Sequence, residues 1–337
     1  MKLSHWIVKP LRWLGVLLKF LFRVLVLAWA SLAIYYSNLP WPTARLVLAV
    51  LFALFGIWAL WIARRPRGTL IFAGAFVLLI GWWMTIQPSH ERPWRPEVAV
   101  MPRAVIDGDR VRIINYRNFE FRSRDDFTPR YEEREFLLSH LTGVDFYVSY
   151  WKEGPVGHTF LSFMFDNAPP LSMSIETRPE VGEGFDPLAS LFKQFELIYV
   201  VGDERDLVRL RTNFRDEDVY LYRLNIPPAA ARQLLLVYLK RINQLADKAE
   251  FYHLLTDSCT INIVRYANAA GRVGRLNIRH VLNGWFDRYL YRAGWIDTTL
   301  SFDELRRRSH INEASIAAGD GPDYYDRIRK DLPTVKP

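Results

Sequence analysis

No aspartate or glutamate occurs before Glu91, although nine basic residues do: Lys2, Lys9, Arg12, Lys19, Arg23, Arg45, Arg64, Arg65 and Arg67. All 36 acidic residues therefore follow residue 90, where they meet 35 of the 44 basic ones, so the pI of about 9.5 belongs to the N-terminal segment alone. A nucleic-acid-binding protein carries its positive excess on the folded part, so this distribution argues against nucleic acid as a partner. Cysteine is nearly absent as well. Cys259 stands alone, which excludes an internal disulfide framework. Glycine (18) and proline (19) are ordinary in number, which excludes a collagen-like chain.

What the first segment does contain is aliphatic and aromatic sequence, with eight of the twelve Trp before residue 84. Crossing a bilayer takes roughly 20 mostly apolar residues. Three stretches qualify, at about 20–37, 44–63 and 69–86, with Arg23 placed to snorkel toward an interface. A cleaved signal peptide has one short apolar core, so three successive spans predict a retained membrane anchor over 1–86. Basic residues stay on the cytoplasmic side. Lys2, Lys9 and Arg12 precede the first span, Ser37–Thr43 is uncharged, and Arg64, Arg65 and Arg67 join the second to the third. The N-terminus is then cytoplasmic and everything after about Gln87 lies outside, which in a Gram-negative cell is the periplasm.

Residues 87–104 carry Pro88, Pro93, Pro96 and Pro102 and read as a semi-extended linker. The outer domain, 105–337, is α+β. Period-two alternation predicts strands at Arg110–Asn115, Val144–Trp151, His158–Phe165, Leu171–Glu176, Glu196–Gly202, Leu207–Arg211 and Val219–Leu224. From Pro228 the period becomes helical, with Leu234, Leu235, Tyr238, Leu239, Ile242 and Leu245 on one face. A second helix starts at Asp257-Ser258-Cys259 and stops near Gly271, and shorter ones are expected at 277–292 and 302–309. The charged stretch Arg122–Glu135 reads as a solvated loop.

Position favours a reactive role for the lone thiol over an inert buried one. With Asp257 or Ser258 as cap, the Cys259 sulfur sits in the first turn, where unpaired N–H groups stabilise a thiolate. Asp257 opposes this unless capping holds its carboxylate away. A thiol nucleophile needs a base and the base an orienting group. His158 begins a strand, and the next strand brings Ser172, Ser174 or Glu176 within its range as acceptor. His253 is a rival base only six residues before the cysteine. His158, His253 and Cys259 lack the close ligand pairs of a zinc site, and there is no Gly-rich phosphate loop, so neither metal nor cofactor is expected.

Four ordered blocks carry a resemblance: Gly157–Phe163, Ser172–Arg178, Tyr199–Leu207 and Phe251–Thr260. Together they resemble the DUF4105 family, which includes the periplasmic domain of Lnb-type lipoprotein N-acyltransferases. The resemblance implies a circularly permuted, papain-like fold of the NlpC/P60 type, in which the strand histidine precedes the helix cysteine. It further implies Cys259 as nucleophile and His158 as base, with Glu176 and Ser174 in the surrounding polar site. This chain has Ser258 where the family usually has asparagine, and its spans precede the domain. The leading expectation is a Cys-His acyltransferase that takes an acyl group from a membrane phospholipid and passes it through a thioester to a lipoprotein or other amine. The alternatives are a cysteine amidase or peptidase acting on cell-wall or peptide substrates, and a non-catalytic, membrane-tethered binding module.

Overall fold

The computed structural model describes residues 4–64, 66–271, 280 and 283–333. The chain divides into two compact units. One comprises residues 1–89 with 186–195, the other 90–185 with 196–337.

The first unit is built on α1 (Ser4–Tyr35), α2 (Pro42–Ile57, continued by a π turn Trp58–Ile62) and α3 (Arg67–Thr85). Each is long and apolar enough to cross a membrane. They bury a narrow stripe that includes Leu27, Ala30, Ile34, Ala59, Leu60 and Phe72, and expose Leu17, Phe22, Leu51 and Leu78 on their outer faces. An exposed face of that kind is stable only against lipid. Close approach is permitted at Gly56, where a Cβ would overlap the Leu27 side chain.

Arg23 does not snorkel. It is buried, and its guanidinium donates to the Leu60 carbonyl at 2.9 Å, in the π turn whose altered ladder frees backbone acceptors. The segment 186–195 belongs to this unit through specific contacts. Tyr36 donates to Asp186 at 2.9 Å, and Phe192 stacks on Tyr36 with ring centroids 5.6 Å apart. Lys193 donates to the carbonyls of Trp83 and Ile86 at 3.0 and 2.9 Å, satisfying acceptors that the end of α3 leaves open.

The second unit centres on an eight-stranded sheet. Its strands are β1 (Arg103–Asp107), β2 (Arg110–Arg117), β5 (Tyr131–Leu137), β6 (Leu141–Tyr150), β7 (His158–Phe165), β8 (Leu171–Arg178), β9 (Glu196–Gly202) and β10 (Asp218–Arg223); β3 (Glu120–Phe121) and β4 (Phe127–Thr128) form a separate pair. The order is β1-β2-β9-β8-β7-β6-β10, with β5 on β2, and only β2 with β9 is parallel. The helices are α4 (Glu204–Arg209), α5 (Pro228–Asp247), α6 (Cys259–Ala269), α7 (Phe286–Arg292), α8 (Phe302–Ser309), α9 (Asn312–Ala318) and α10 (Tyr324–Arg327). The apolar face expected of α5 is buried throughout, and α6 ends before Gly271, whose φ of 100° suits a glycine. Of the helix expected at 277–292, residues 277–279, 281 and 282 lie outside the described residues; α7 begins only at Phe286.

Two expectations are corrected. Leu207–Arg211 is not a strand: Asp203 caps α4 by accepting from the Arg205 amide, and the chain continues through a π turn, Leu210–Phe214. The alternation of Val208 and Leu210 with Arg209 and Arg211 imitated a strand over too few residues to separate the two periods. Nor is Arg122–Glu135 a continuous loop. Its second half is β4 and most of β5, in which Glu133 and Glu135 pair across the strands with Arg112 (2.8 Å) and Arg110 (3.2 Å). Charges on a solvent face hide a strand from hydropathy. β1 escaped notice because Ala104 is its only buried residue and the adjacent apolar pair Val105 and Ile106 breaks any period-two pattern.

The Pro-rich stretch before β1 is packed from His90 onward. Arg178 donates to the carbonyls of Val98 and Ala99 (2.8 and 2.6 Å), and its guanidinium lies 4.4 Å from the Trp94 ring centroid.

Candidate active site

β7 and β8 pair with Phe160 opposite Ser174, so His158, Phe160, Ser174 and Glu176 share one face of the sheet. That face is covered by α4 and its π turn, where Val208 packs with Phe160 and Arg211 lies over the Phe160 ring at 4.8 Å. Thr159 points to the other face, where its hydroxyl meets that of Thr260 at 2.8 Å on α6. This contact seats the first turn of α6 against the start of β7. The thiol and the imidazole, 101 residues apart in the chain, meet there as a result.

His158 Nε2 lies 2.7 Å from Ser174 Oγ, and Ser174 Oγ donates to Glu176 Oε1 at 2.7 Å. Glu176 is held by Arg211, whose Nη2 donates to the same oxygen at 2.8 Å while Nη1 donates to the Leu207 carbonyl. Burial alone would raise the Glu176 carboxyl, but Arg211 first, then His158, hold it far below the usual carboxylate range. An ionised Glu176 can only accept, so the one Ser174 proton goes to it and Ser174 accepts from His158 Nε2–H. That fixes the tautomer and leaves Nδ1 for the thiol.

Cys259 is 5% exposed, at the first position of α6 after Ser258 as N-cap. Burial pushes its thiol up. The hydrogen bond and charge of His158 and the hydrogen bonds of Thr159 outweigh this and bring it down to about 6. Asp257 does not interfere. Its carboxylate accepts from Arg265 (3.0 Å) and Thr256 (2.6 Å), so the two residues hold it in a separate network. His253 is not placed as a rival base: its Nδ1 accepts from the Leu255 amide and its carbonyl accepts from Thr256 and Asp257, shaping the turn into Ser258.

All four residues singled out from the sequence, Cys259, His158, Ser174 and Glu176, thus come together. Three further residues complete the site and were not legible. Asn283 Oδ1 accepts from the Gly157 amide at 2.9 Å, which orients its Nδ2 to donate to Cys259 Sγ at 3.5 Å. It lies 24 residues beyond the cysteine, in a stretch whose expected helical period concealed it. Arg211 was hidden in the misassigned strand. Thr159 lies on the opposite face of the sheet from His158, Ser174 and Glu176, and only the packing of α6 reveals it.

The thiol opens into a cleft of about 260 Å³, lined among others by Trp151, His158, Glu176, Arg215, Tyr252 and Asn283. Chemically, the arrangement is a covered thiolate paired with an oriented imidazole, beside an amide donor and the N-terminus of a helix. Such a set can add to a carbonyl carbon and hold the oxygen that becomes negative.

Residues 127–290 match the family described as Lnb N-terminal periplasmic domain. The matched stretch contains Cys259, His158, Thr159, Ser174, Glu176, Arg211 and Asn283, and supports reading this unit as an Lnb-type periplasmic domain carried by a membrane-associated chain. No curated protein and no solved structure matches the chain.

Proposed function

We propose that this protein is a membrane-anchored periplasmic thiol enzyme that transfers an acyl group through a thioester on Cys259. A phospholipid ester is the donor and an amine, such as a lipoprotein N-terminus, the acceptor. The observation that carries the reading is the Cys259–His158 pair, with the thiol brought down to about 6 in spite of burial. A thiol with that property is ionised at neutral pH, and a merely structural cysteine has no need of it. The three apolar helices and the match to an Lnb-type domain support a lipid as substrate. The distribution of basic residues supports an inner-membrane orientation with the N-terminus in the cytoplasm. The fold is read as a permuted papain-like one, because a helix that starts at the nucleophile packs on the antiparallel strand that carries the base, with the histidine first in the chain.

In the first half-reaction the Cys259 thiolate attacks the ester carbonyl. Asn283 Nδ2 and the free N–H groups at the start of α6 stabilise the oxyanion. The C–O bond breaks, the leaving alkoxide takes the proton from His158 Nδ1, and the acyl group remains on sulfur. In the second, the amine attacks the thioester, His158 accepts its proton and the thiolate departs. Ser174 and Glu176 keep the Nε2–H in place through both protonation states of the ring.

The test is to incubate the full-length, detergent-purified protein with phospholipid and look by mass spectrometry for a hydroxylamine-labile acyl adduct on Cys259. The adduct is expected in the wild type and absent from Cys259→Ala and His158→Ala. No adduct from a thiol that still alkylates rapidly would turn the reading to amide or peptide substrates. An inert thiol would turn it to a binding module.

A further inference from the structure

Five guanidiniums line the thiol cleft: Arg95, Arg117, Arg124, Arg211 and Arg215. Three are matched at close range, Arg95 by Glu97 (2.5 Å), Arg117 by Asp206 (2.7 Å) and Arg211 by Glu176 (2.8 Å). The other two are not. Arg124 lies in the loop before β4 and forms no ion pair or hydrogen bond with any described residue. Arg215 follows the π turn, and its nearest carboxylate, Glu217 Oε1, is 3.8 Å from Nη1. The other Glu217 oxygen already accepts from Ser149 at 2.5 Å. The buried Nε of Arg215 has no partner among the described residues, while its side chain remains 27% exposed toward the cleft.

An arginine fork that is largely desolvated, half-matched and open on one side is an unfavourable arrangement for an empty protein. Burial, with Arg211 close by, lowers its pKa. A bound oxyanion supplies what is missing, since two parallel N–H donors match a phosphate or carboxylate edge. Another part of the lining is apolar: Trp151 stacks on Phe185 with centroids 5.9 Å apart, and both are half exposed. One end of the ligand is therefore anionic and another apolar.

We propose that Arg215, assisted by Arg124, is an anion subsite of the thiol cleft, which takes the phosphodiester of the amphiphile whose ester faces Cys259. The inference rests on the lipid-ester reading of the site and adds to it the residue that holds the charged end. Its orientation role is specific: with the anion on Arg215 and the apolar part along Trp151 and Phe185, one ester of the ligand is presented to the sulfur.

The test uses the full-length Cys259→Ala protein in a neutral detergent, so that binding is read without chemistry. Inorganic phosphate, dihexanoyl phosphatidylglycerol and hexanoate are titrated separately by calorimetry. The phosphatidylglycerol is expected to bind, inorganic phosphate to compete with it, and Arg215→Gln to weaken it by about tenfold or more, with Arg215→Lys intermediate because the point charge survives without the fork. Equal affinity with and without Arg215→Gln in the Cys259→Ala protein, with the melting temperature unchanged, would overturn the subsite. Hexanoate binding as tightly as the phosphodiester would overturn the phosphate assignment. In parallel, the alkylation rates of Cys259 with neutral iodoacetamide and anionic iodoacetate are compared in the otherwise wild-type protein. Slow reaction with both reagents would count against the thiolate reading, whereas fast reaction with no dependence on Arg215 counts against the subsite alone.

Discussion

His158 Nε2 stands 3.8 Å from Glu176 Oε1, yet the two are joined only through Ser174, whose hydroxyl lies 2.7 Å from each. A carboxylate in direct contact would bind the imidazolium more strongly. The intervening hydroxyl transmits orientation while leaving the ring free to exchange its proton with the thiol.

Ser174→Ala therefore separates base from anchor without emptying the core. Acyl transfer is expected to fall by about 10²-fold, the lower end of what a positioned general base contributes, with KM nearly unchanged. Ser174→Thr keeps the hydroxyl and should recover part of the rate. A variant retaining full kcat would show that the relay is idle.

The pH dependence of thiol alkylation reports the ion pair directly. With the thiol at about 6 rather than its ordinary 9.0, the rate should rise through pH 6 and level off by pH 8. His158→Ala removes the main lowering influence and leaves burial, so its midpoint should move to about 9 or higher. Iodoacetamide kinetics read by intact mass would decide, and coincident midpoints for the two proteins would contradict the pairing.

Glu176→Gln removes the close counter-charge of Arg211, 3% exposed, and leaves it only Glu217 at 3.9 Å. Loss of one partner of a buried pair costs about 3 kcal/mol or more. In the wild type, the depressed Glu176 carboxyl contributes stability that is complete above its ordinary value of 4.5 and is lost as pH falls through the much lower folded value. Denaturant unfolding between pH 7 and 3 should show the onset of that loss below 4.5 in the wild type and not in the variant.

Asn283 is expected to act on kcat. If its amide meets the oxyanion, Asn283→Ala should lower kcat by about 10²- to 10³-fold. Thiol alkylation, which develops no oxyanion, should change far less. Equal losses in both measurements would point instead to a displaced thiol.

Gly284, next to Asn283, tests how the loop is held. A Cβ there would overlap the Gly154 carbonyl oxygen and lie 2.8 Å from the Pro155 carbonyl carbon. The Gly284 amide donates to Pro155 O at 3.0 Å, and Tyr150 donates to Gly284 O at 2.5 Å. Gly284→Ala should cost about 1–3 kcal/mol and move Asn283 and Gly157 together. A melting temperature within 1 °C or so of wild type would argue against that packing.

The sequence by itself determined what short-range patterns can encode. Acid-free apolar runs of about 20 residues define three spans, because a bilayer selects on composition over one helix length. Alternation defines β7 and β8, a 3.6-residue period defines α5, and a cysteine just after a serine at the N-cap position marks a helix start. His158 and Cys259 were legible because each sits at the end of such an element. Tertiary structure alone decided the rest. The period of Leu207–Arg211 is ambiguous over five residues, so only packing on Phe160 made it helical and aimed Arg211 at Glu176. Asn283 reaches the sulfur across a loop contact that no spacing predicts. The thiol's value of about 6 is a balance between burial, which raises it, and a histidine 101 residues away, which lowers it more. Likewise, nothing in the composition of residues 186–195 assigns them to the membrane helices; Phe192 on Tyr36 and Lys193 on the end of α3 do. Contacts between residues far apart in the chain leave no periodic trace in it, and the chemistry of this site depends on them.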